Sequence, residues 1–185
     1  MSTTLVLGGA RSGKSAHAEA LASNTGREVV YIATARAGDG EMAARIAQHR
    51  SSRPAHWTTI EETIALGKAI TQWSSPARVV LVDCLTLWLS NVLFSSAQAF
   101  PETGPVTLPA LFHDQRRALL DAIAQAPGDV IFVSNEVGMG IVPMGAVSRA
   151  FVDEHGRLNQ AVAAACDCAV FVAAGLPLIL KGAPC

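Results

Sequence analysis

Five short apolar runs constrain this chain more than any other feature: residues 4–7, 29–33, 79–82, 130–133 and 169–173. They are nearly continuous rather than alternating, the pattern of strands buried on both faces of a parallel sheet. Stretches of helical character lie between them, at 14–23, 41–50, 64–73, 85–93, 108–125 and 146–165. Strand–helix alternation of this kind predicts a three-layer α/β domain. A final run, 178–180, follows Gly175 and Pro177 closely and predicts an antiparallel hairpin at the sheet edge. Residues 95–109 break the rhythm with Ser95, Ser96, Pro101, Gly104, Pro105 and Pro109, and read as a loop. The elements on both sides of it belong to one sheet. The expectation is therefore a single domain over residues 1–185, a length that buries a sizeable core without staples.

Composition narrows the function. Half of the residues are hydrophobic and 16% are charged, which excludes global disorder. A net charge of −1 argues against a binder of nucleic acid, because phosphate-tracking proteins carry a basic excess. Any anion is expected to be held locally. No segment reads as a signal peptide, and no apolar stretch approaches the roughly 20 residues that span a bilayer. Cys84, Cys166, Cys168 and Cys185 do not look like a disulfide framework, and their spacing does not match zinc pairs. These features predict a soluble protein of a reducing, cytoplasmic compartment.

The sequence Gly8-Gly9-Ala10-Arg11-Ser12-Gly13-Lys14-Ser15 fits G-x-x-x-x-G-K-[ST], between an apolar strand and a helical stretch. Glycines let backbone N–H groups converge on phosphate oxygens, and the following helix N-terminus adds partial positive charge. Lys14 can reach the β and γ phosphates, and the Ser15 hydroxyl can bind Mg2+. The expected fold is thus a three-layer P-loop NTPase domain, RecA-like, with a mostly parallel sheet and an antiparallel edge hairpin. Asp83 ends the run 79–82 and has the placement of a Walker B carboxylate, expected on a strand beside the phosphate loop and near the Mg2+. A helix N-cap ahead of Leu85 is the simpler alternative for it.

On a helix over 41–50, Glu41, Arg45 and His49 share a polar stripe, with Met42 and Ile46 on the buried side. Arg50 and Arg53 stand close to His49, and Pro54 cannot prolong the helix. Such a basic cluster suits a second phosphate contact, and its cations favour the neutral, nucleophilic imidazole. A solvated face of arginines with one histidine would look the same, and periodicity alone does not separate the two.

With these residues in view, the chain resembles the bifunctional adenosylcobinamide kinase/adenosylcobinamide-phosphate guanylyltransferase family of cobalamin biosynthesis, over nearly its whole length. The resemblance rests on Gly8–Ser15 with His17 to Glu19, Tyr31-Ile32-Ala33-Thr34, and Glu41 to Arg45 with His49. Arg53-Pro54-Ala55-His56-Trp57, Asn135 to Pro143 (NEVGMGIVP) and Gly156-Arg157-Leu158-Asn159-Gln160 complete it, and NEVGMGIVP is far more specific than a phosphate loop. It implies two reactions. Adenosylcobinamide is phosphorylated with ATP or GTP, and adenosylcobinamide phosphate then takes GMP from GTP, releasing pyrophosphate.

By the same resemblance the GMP is carried on a histidine, and the matching position is His49. His56, just before a strand start at Trp57, matches a different family position, and His17 lies on the phosphate-loop helix. The implied nucleotide contacts are Gly8, Gly9, Ala10, Arg11, Ser12, Gly13, Lys14 and Ser15, then Ala33, Thr34 and Ala35. Arg50, Ser51, Ser52, Arg53, Glu61 and Asp83 follow, with Ser15 and Asp83 on the metal; Lys14 is catalytic beside His49. The family assembles as trimers. Asn135 and Glu136, with Gly138 and Gly140, are read from the residues alone as a hinged lip over the corrinoid. Two other readings stay open at this point: a P-loop small-molecule kinase without nucleotidyl transfer, and a GTP-binding regulatory module, although no N-K-x-D guanine motif is present.

Overall fold

The computed structural model describes residues 1–36, 40, 54–95 and 100–183. Its strands are β1 (Thr3–Gly8), β2 (Glu28–Ala33), β3 (Thr58–Glu61), β4 (Arg78–Asp83), β5 (Asp129–Asn135), β6 (Cys168–Ala173) and β7 (Leu176–Lys181). They form one sheet in the order β3-β2-β4-β5-β1-β6-β7, parallel except for β7. Among the described residues the helices are α1 (Lys14–Asn24), α2 (Leu66–Trp73), α3 (Leu85–Leu93), α4 (Ala110–Gln125) and α5 (Ala146–Ala165). The expected α/β architecture and edge hairpin are both present. The helix expected over 41–50 lies outside the described residues.

The continuous apolar runs have the cause inferred for them, because successive side chains enter different cores. On one face Leu5, Leu7, Val30, Ile32, Val80, Val82, Val130 and Phe132 pack with Leu66, Trp88, Phe112, Leu119 and Leu158 of α2 to α5. On the other, Val6, Tyr31, Leu81, Ile131 and Val133 pack with Ala18 and Ala22 of α1. The small residues of α1 let its axis approach the sheet closely, directly behind the phosphate loop.

The strand start expected at Trp57 is present as β3, a four-residue edge strand (TTIE) too short and polar to stand out as an apolar run. Two helices begin later than expected, and the first is α2, which starts at Leu66 rather than at 64. Helix α4 starts two residues later than position 108, with Pro109 as the extended residue before its first turn. The hairpin turn is Ala174–Gly175, with φ of 51° and 78°, the two positive values of a type I′ turn. Among the cysteines, Cys84 and Cys166 are buried and free, and burial pushes their thiols up to about 11 and about 12. No helix of the described residues is long and apolar enough to cross a membrane.

Helix α3 leaves the sheet immediately after Asp83, and Trp88 anchors it. The indole is fully buried, and its Nε1–H donates to the Ile64 carbonyl at 2.8 Å. Trp88→Ala should cost about 3–5 kcal/mol, the usual range for removing a buried aromatic. Urea denaturation of the two proteins, at unchanged m-value, measures the difference.

Candidate functional site

The phosphate loop connects the C-terminal end of β1 to the first turn of α1. Arg11 and Gly13 take left-handed conformations, with φ of 55° and 95°, so the chain can curl around a central point. Lys14 is buried, and its Nζ donates to the Gly9 carbonyl at 3.2 Å, which lays the ammonium across the loop. The hydroxyl of Ser12 is buried with no partner within the protein.

The loop's back wall is the β6–β7 hairpin. The Gly175 N–H donates to the Ser12 carbonyl at 2.8 Å. A Cβ on Gly8 would stand 2.5 Å from the Val172 carbonyl oxygen and 2.4 Å from Ser12 Oγ, and one on Gly13 would stand 3.0 Å from Gly175 Cα. The glycines of the motif are thus required on the protein side of the loop as well as toward a phosphate. Val172 and Gly175 were not among the expected site residues, since no local pattern ties them to residues at the other end of the chain.

Asp83 ends β4, where a Walker B carboxylate belongs, but its strand is not beside the phosphate-loop strand. β5 intervenes, and Asp83 pairs in register with Val133. Two strand spacings make that a lateral offset of about 10 Å. The adjoining strand ends in Asn135, in register with Gly8, and the next N–H, of Glu136, donates to the Gly8 carbonyl at 3.0 Å. One oxygen of Asp83 is already engaged: the buried Tyr31 hydroxyl donates to Oδ2 at 2.7 Å.

Thr34, in the segment implied as a nucleotide contact, is bonded on all its polar groups within the protein. Its N–H donates to the Asp83 carbonyl at 3.1 Å, and its carbonyl accepts from Asn91 Nδ2 at 2.7 Å. Its hydroxyl donates to the Cys84 carbonyl and accepts from the Cys84 N–H, each at 2.7 Å. Fully buried, Thr34 clamps the ends of β2 and β4 together. Ala33 and Ala35 flank it at the same edge. Glu61 ends the edge strand β3 in register with Ala33, four strands from the phosphate loop and so about 19 Å across the sheet. His49, Arg50, Ser51, Ser52 and Arg53 lie outside the described residues.

A second polar cluster fixes the end of β5. Ser134 Oγ donates to Asn159 Oδ1 at 2.7 Å, and Asn159 Nδ2 donates to the Asn135 carbonyl at 3.1 Å. The Asn135 N–H donates to Thr86 Oγ1 at 2.9 Å. His155 lies between: Asn159 Nδ2 is 3.2 Å from its Nδ1, and Thr86 Oγ1 is 2.9 Å from its Nε2. Because the amide nitrogen is a donor, Nδ1 must accept, which leaves the proton on Nε2 to donate to Thr86. The imidazole is therefore neutral, and burial lowers its pKa, opposed in part by the negative charge of Glu136. His155 and Asn159 sit one turn apart on α5, a spacing visible in the sequence, but their partners come from β5 and α3.

Beyond this cluster the connection from β5 to α5 exposes Met139, Ile141, Val142 and Met144. Its hold on the body includes Arg149 Nη1, which donates to the carbonyls of Pro143 (3.1 Å) and Met144.

The profile of the family described as cobinamide kinase / cobinamide phosphate guanyltransferase matches residues 4–180. The chain is 51% identical to the bifunctional adenosylcobalamin biosynthesis protein CobP of Pseudomonas aeruginosa, over 97% of this chain and 98% of that one. It is 42% identical to the bifunctional adenosylcobalamin biosynthesis protein CobU of Salmonella typhimurium, over 96% and 98%. Among solved structures it is similar to a prototypical ATPase from the type III secretion system of pathogenic bacteria, with a TM-score of 0.59 at 10% identity. That likeness covers 96% of this chain and 56% of the ATPase, and bears on the fold alone.

A neutral, buried His155 makes stability depend on pH with a definite sign. The unfolded chain takes up a proton near pH 6.5, whereas the folded one resists it, so the unfolded state binds more protons as pH falls. The contribution of His155 is fully present above pH 6.5 and is lost as pH drops through the lowered folded value. His155→Gln, which keeps hydrogen-bonding capacity without titrating, should flatten that part of the dependence. Thermal unfolding between pH 5 and 8 should show the slope in the parent and its reduction in the variant.

Proposed function

Because the chain belongs to the cobinamide kinase / cobinamide phosphate guanyltransferase family, we propose that it carries out both reactions in cobalamin biosynthesis. It phosphorylates adenosylcobinamide with ATP or GTP. It then transfers GMP from GTP to adenosylcobinamide phosphate, giving adenosylcobinamide-GDP and pyrophosphate. The observation that supports phosphate chemistry at this edge is the loop Gly8–Ser15, braced from behind by the hairpin and crossed by the Lys14 ammonium.

In this reading the loop amides and Lys14 hold the phosphates and stabilise charge that develops on departing pyrophosphate. Mg2+ is proposed as the companion of the nucleotide. No group of three or more His, Cys, Asp and Glu that could hold a metal alone occurs among the described residues. That suits an ion bound chiefly by phosphate oxygens and water, with the Ser15 hydroxyl and the second oxygen of Asp83 as protein contacts. When bound, it supplies further charge neutralisation at the phosphates.

His49 is the proposed nucleophile. Its imidazole nitrogen forms a bond to the α phosphorus of GTP as the bond to pyrophosphate breaks, and the acceptor phosphate then displaces the histidine. Arg50, Ser51, Ser52, Arg53, Glu61, Ala33, Thr34 and Ala35 are proposed around the same nucleotide. We place the enzyme in the cytoplasm as a homo-oligomer, a trimer by resemblance. The outer edge of β7, unpaired among the described residues and with Leu176, Leu178 and Leu180 exposed, suits a face that another copy covers.

Incubation with GTP labelled on its α phosphate should give an acid-labile, alkali-stable adduct, absent from His49→Ala and discharged by adenosylcobinamide phosphate. Lys14→Ala should lose both activities if they share one nucleotide site. An active, nucleotide-binding protein that forms no adduct would leave kinase activity alone.

A further inference from the structure

Helix α5 extends well beyond the sheet. Asn159 is level with the end of β5, through its bond to the Asn135 carbonyl. The helix begins thirteen residues earlier, at Ala146, so about 20 Å of it stands past the edge that carries the phosphate loop. The N–H of Ala146 donates to the Glu102 carbonyl at 3.4 Å, which brings the connection around residues 101–108 against this projecting half.

Between the two lies a cleft of about 240 Å³. Its lining includes apolar Val106, Leu108 and Ala150 and charged Arg149, Asp153, Glu154 and Arg157. Ala146, Arg149, Ala150, Asp153 and Arg157 fall on one stripe of α5, at helical spacings of three and four. The charges are mixed. Arg157 is paired with Glu154, and Arg149 Nη1 holds the carbonyls of the neighbouring connection, which leaves Asp153 as the exposed acceptor on that stripe.

A lining with guanidinium donors beside a carboxylate acceptor is matched to a neutral group that both accepts and donates, above all a primary amide. An anion would meet Asp153 and Glu154, and a cation would meet two arginines. The volume is smaller than the roughly 300–1,000 Å³ of complete ligand pockets, so the cleft suits one part of a larger molecule. Met139 and Ile141, 80% and 98% exposed on the adjoining connection, offer apolar surface to the remainder.

We propose that this cleft is the acceptor subsite, and that it takes an amide-bearing arm of the corrinoid periphery while the macrocycle lies against the exposed connection. The proposal rests on the family reading given above and adds to it the place where the acceptor binds. It also gives residues 101–108 a role: they form the outer wall of the subsite.

Two variants test it in the adenosylcobinamide kinase assay. Asp153→Ala removes the acceptor from an exposed position, and Ala150→Trp fills the cleft. Each should raise KM for adenosylcobinamide at least about tenfold, near 1.4 kcal/mol. The value of kcat and the affinity for GTP should stay within about twofold of the parent. Wild-type KM in a folded variant of either kind, judged by thermal unfolding, would overturn the subsite. Should one variant fail to fold, the other decides alone. A parent enzyme that binds GTP but never phosphorylates adenosylcobinamide would overturn the family reading and the subsite with it.

Discussion

The phosphate loop depends on a contact that its own sequence does not contain. A strand-to-helix turn built from glycines is intrinsically loose, because glycine surrenders more backbone freedom on ordering than any other residue. Here the turn is ordered from behind. The type I′ hairpin presents the Gly175 N–H to the Ser12 carbonyl, and Val172 closes on Gly8 at a distance that leaves no room for a side chain. The edge hairpin thereby acts as a brace, and the left-handed residues Arg11 and Gly13 are held in the curl that aims backbone N–H groups inward. A preorganised set of donors is what phosphate binding needs, since a flexible one would have to be ordered by the ligand.

The rest of the edge is fixed in a different currency. Strand ends are where ladder hydrogen bonds run out, and the polar groups there must find other partners. Thr34 joins β2 to the end of β4 through three hydrogen bonds and to α3 through a fourth, and Thr86, Asn159 and Ser134 hold the last residues of β5 from both sides. Such clusters are costly when partly satisfied, and each member here has its partner. Apolar packing on the two sheet faces sets where the strands lie, and these side-chain bonds set where their ends point.

Much of this was legible from the sequence, and the failures have physical causes. The five buried strands announced themselves because burial on both faces demands an unbroken apolar run. β3 did not, since an edge strand with one wet face needs no such run. Asp83 was correctly read as the end of a strand, but strand order is a non-local property, and β5 between β4 and β1 left no mark on the residues near Asp83. Thr34 was implied as a nucleotide contact by the family resemblance alone; its bonds to Cys84 and Asn91 join elements far apart in sequence and left no local pattern. Gly175 could be read as a turn residue from its neighbours; its service to a loop at the other end of the chain could not.

These observations divide the molecule by mechanical character. Phosphate chemistry is sensitive to displacements of well under an ångström, and the groups suited to it sit on the sheet edge, where backbone and buried side chains are doubly tied. Recognition of a large acceptor tolerates looser geometry and needs reach. The parts with reach are the projecting half of α5, the connection before it and residues 101–108, which expose apolar and mixed-charge surface. Helix α5 joins the two regions, because His155 and Asn159 are bonded into the β5 end while the stripe from Ala146 to Arg157 lines the cleft. One rigid helix thus carries the register of the phosphate edge outward, so that a molecule seated against its free end is positioned relative to the loop without any contact between the two sites.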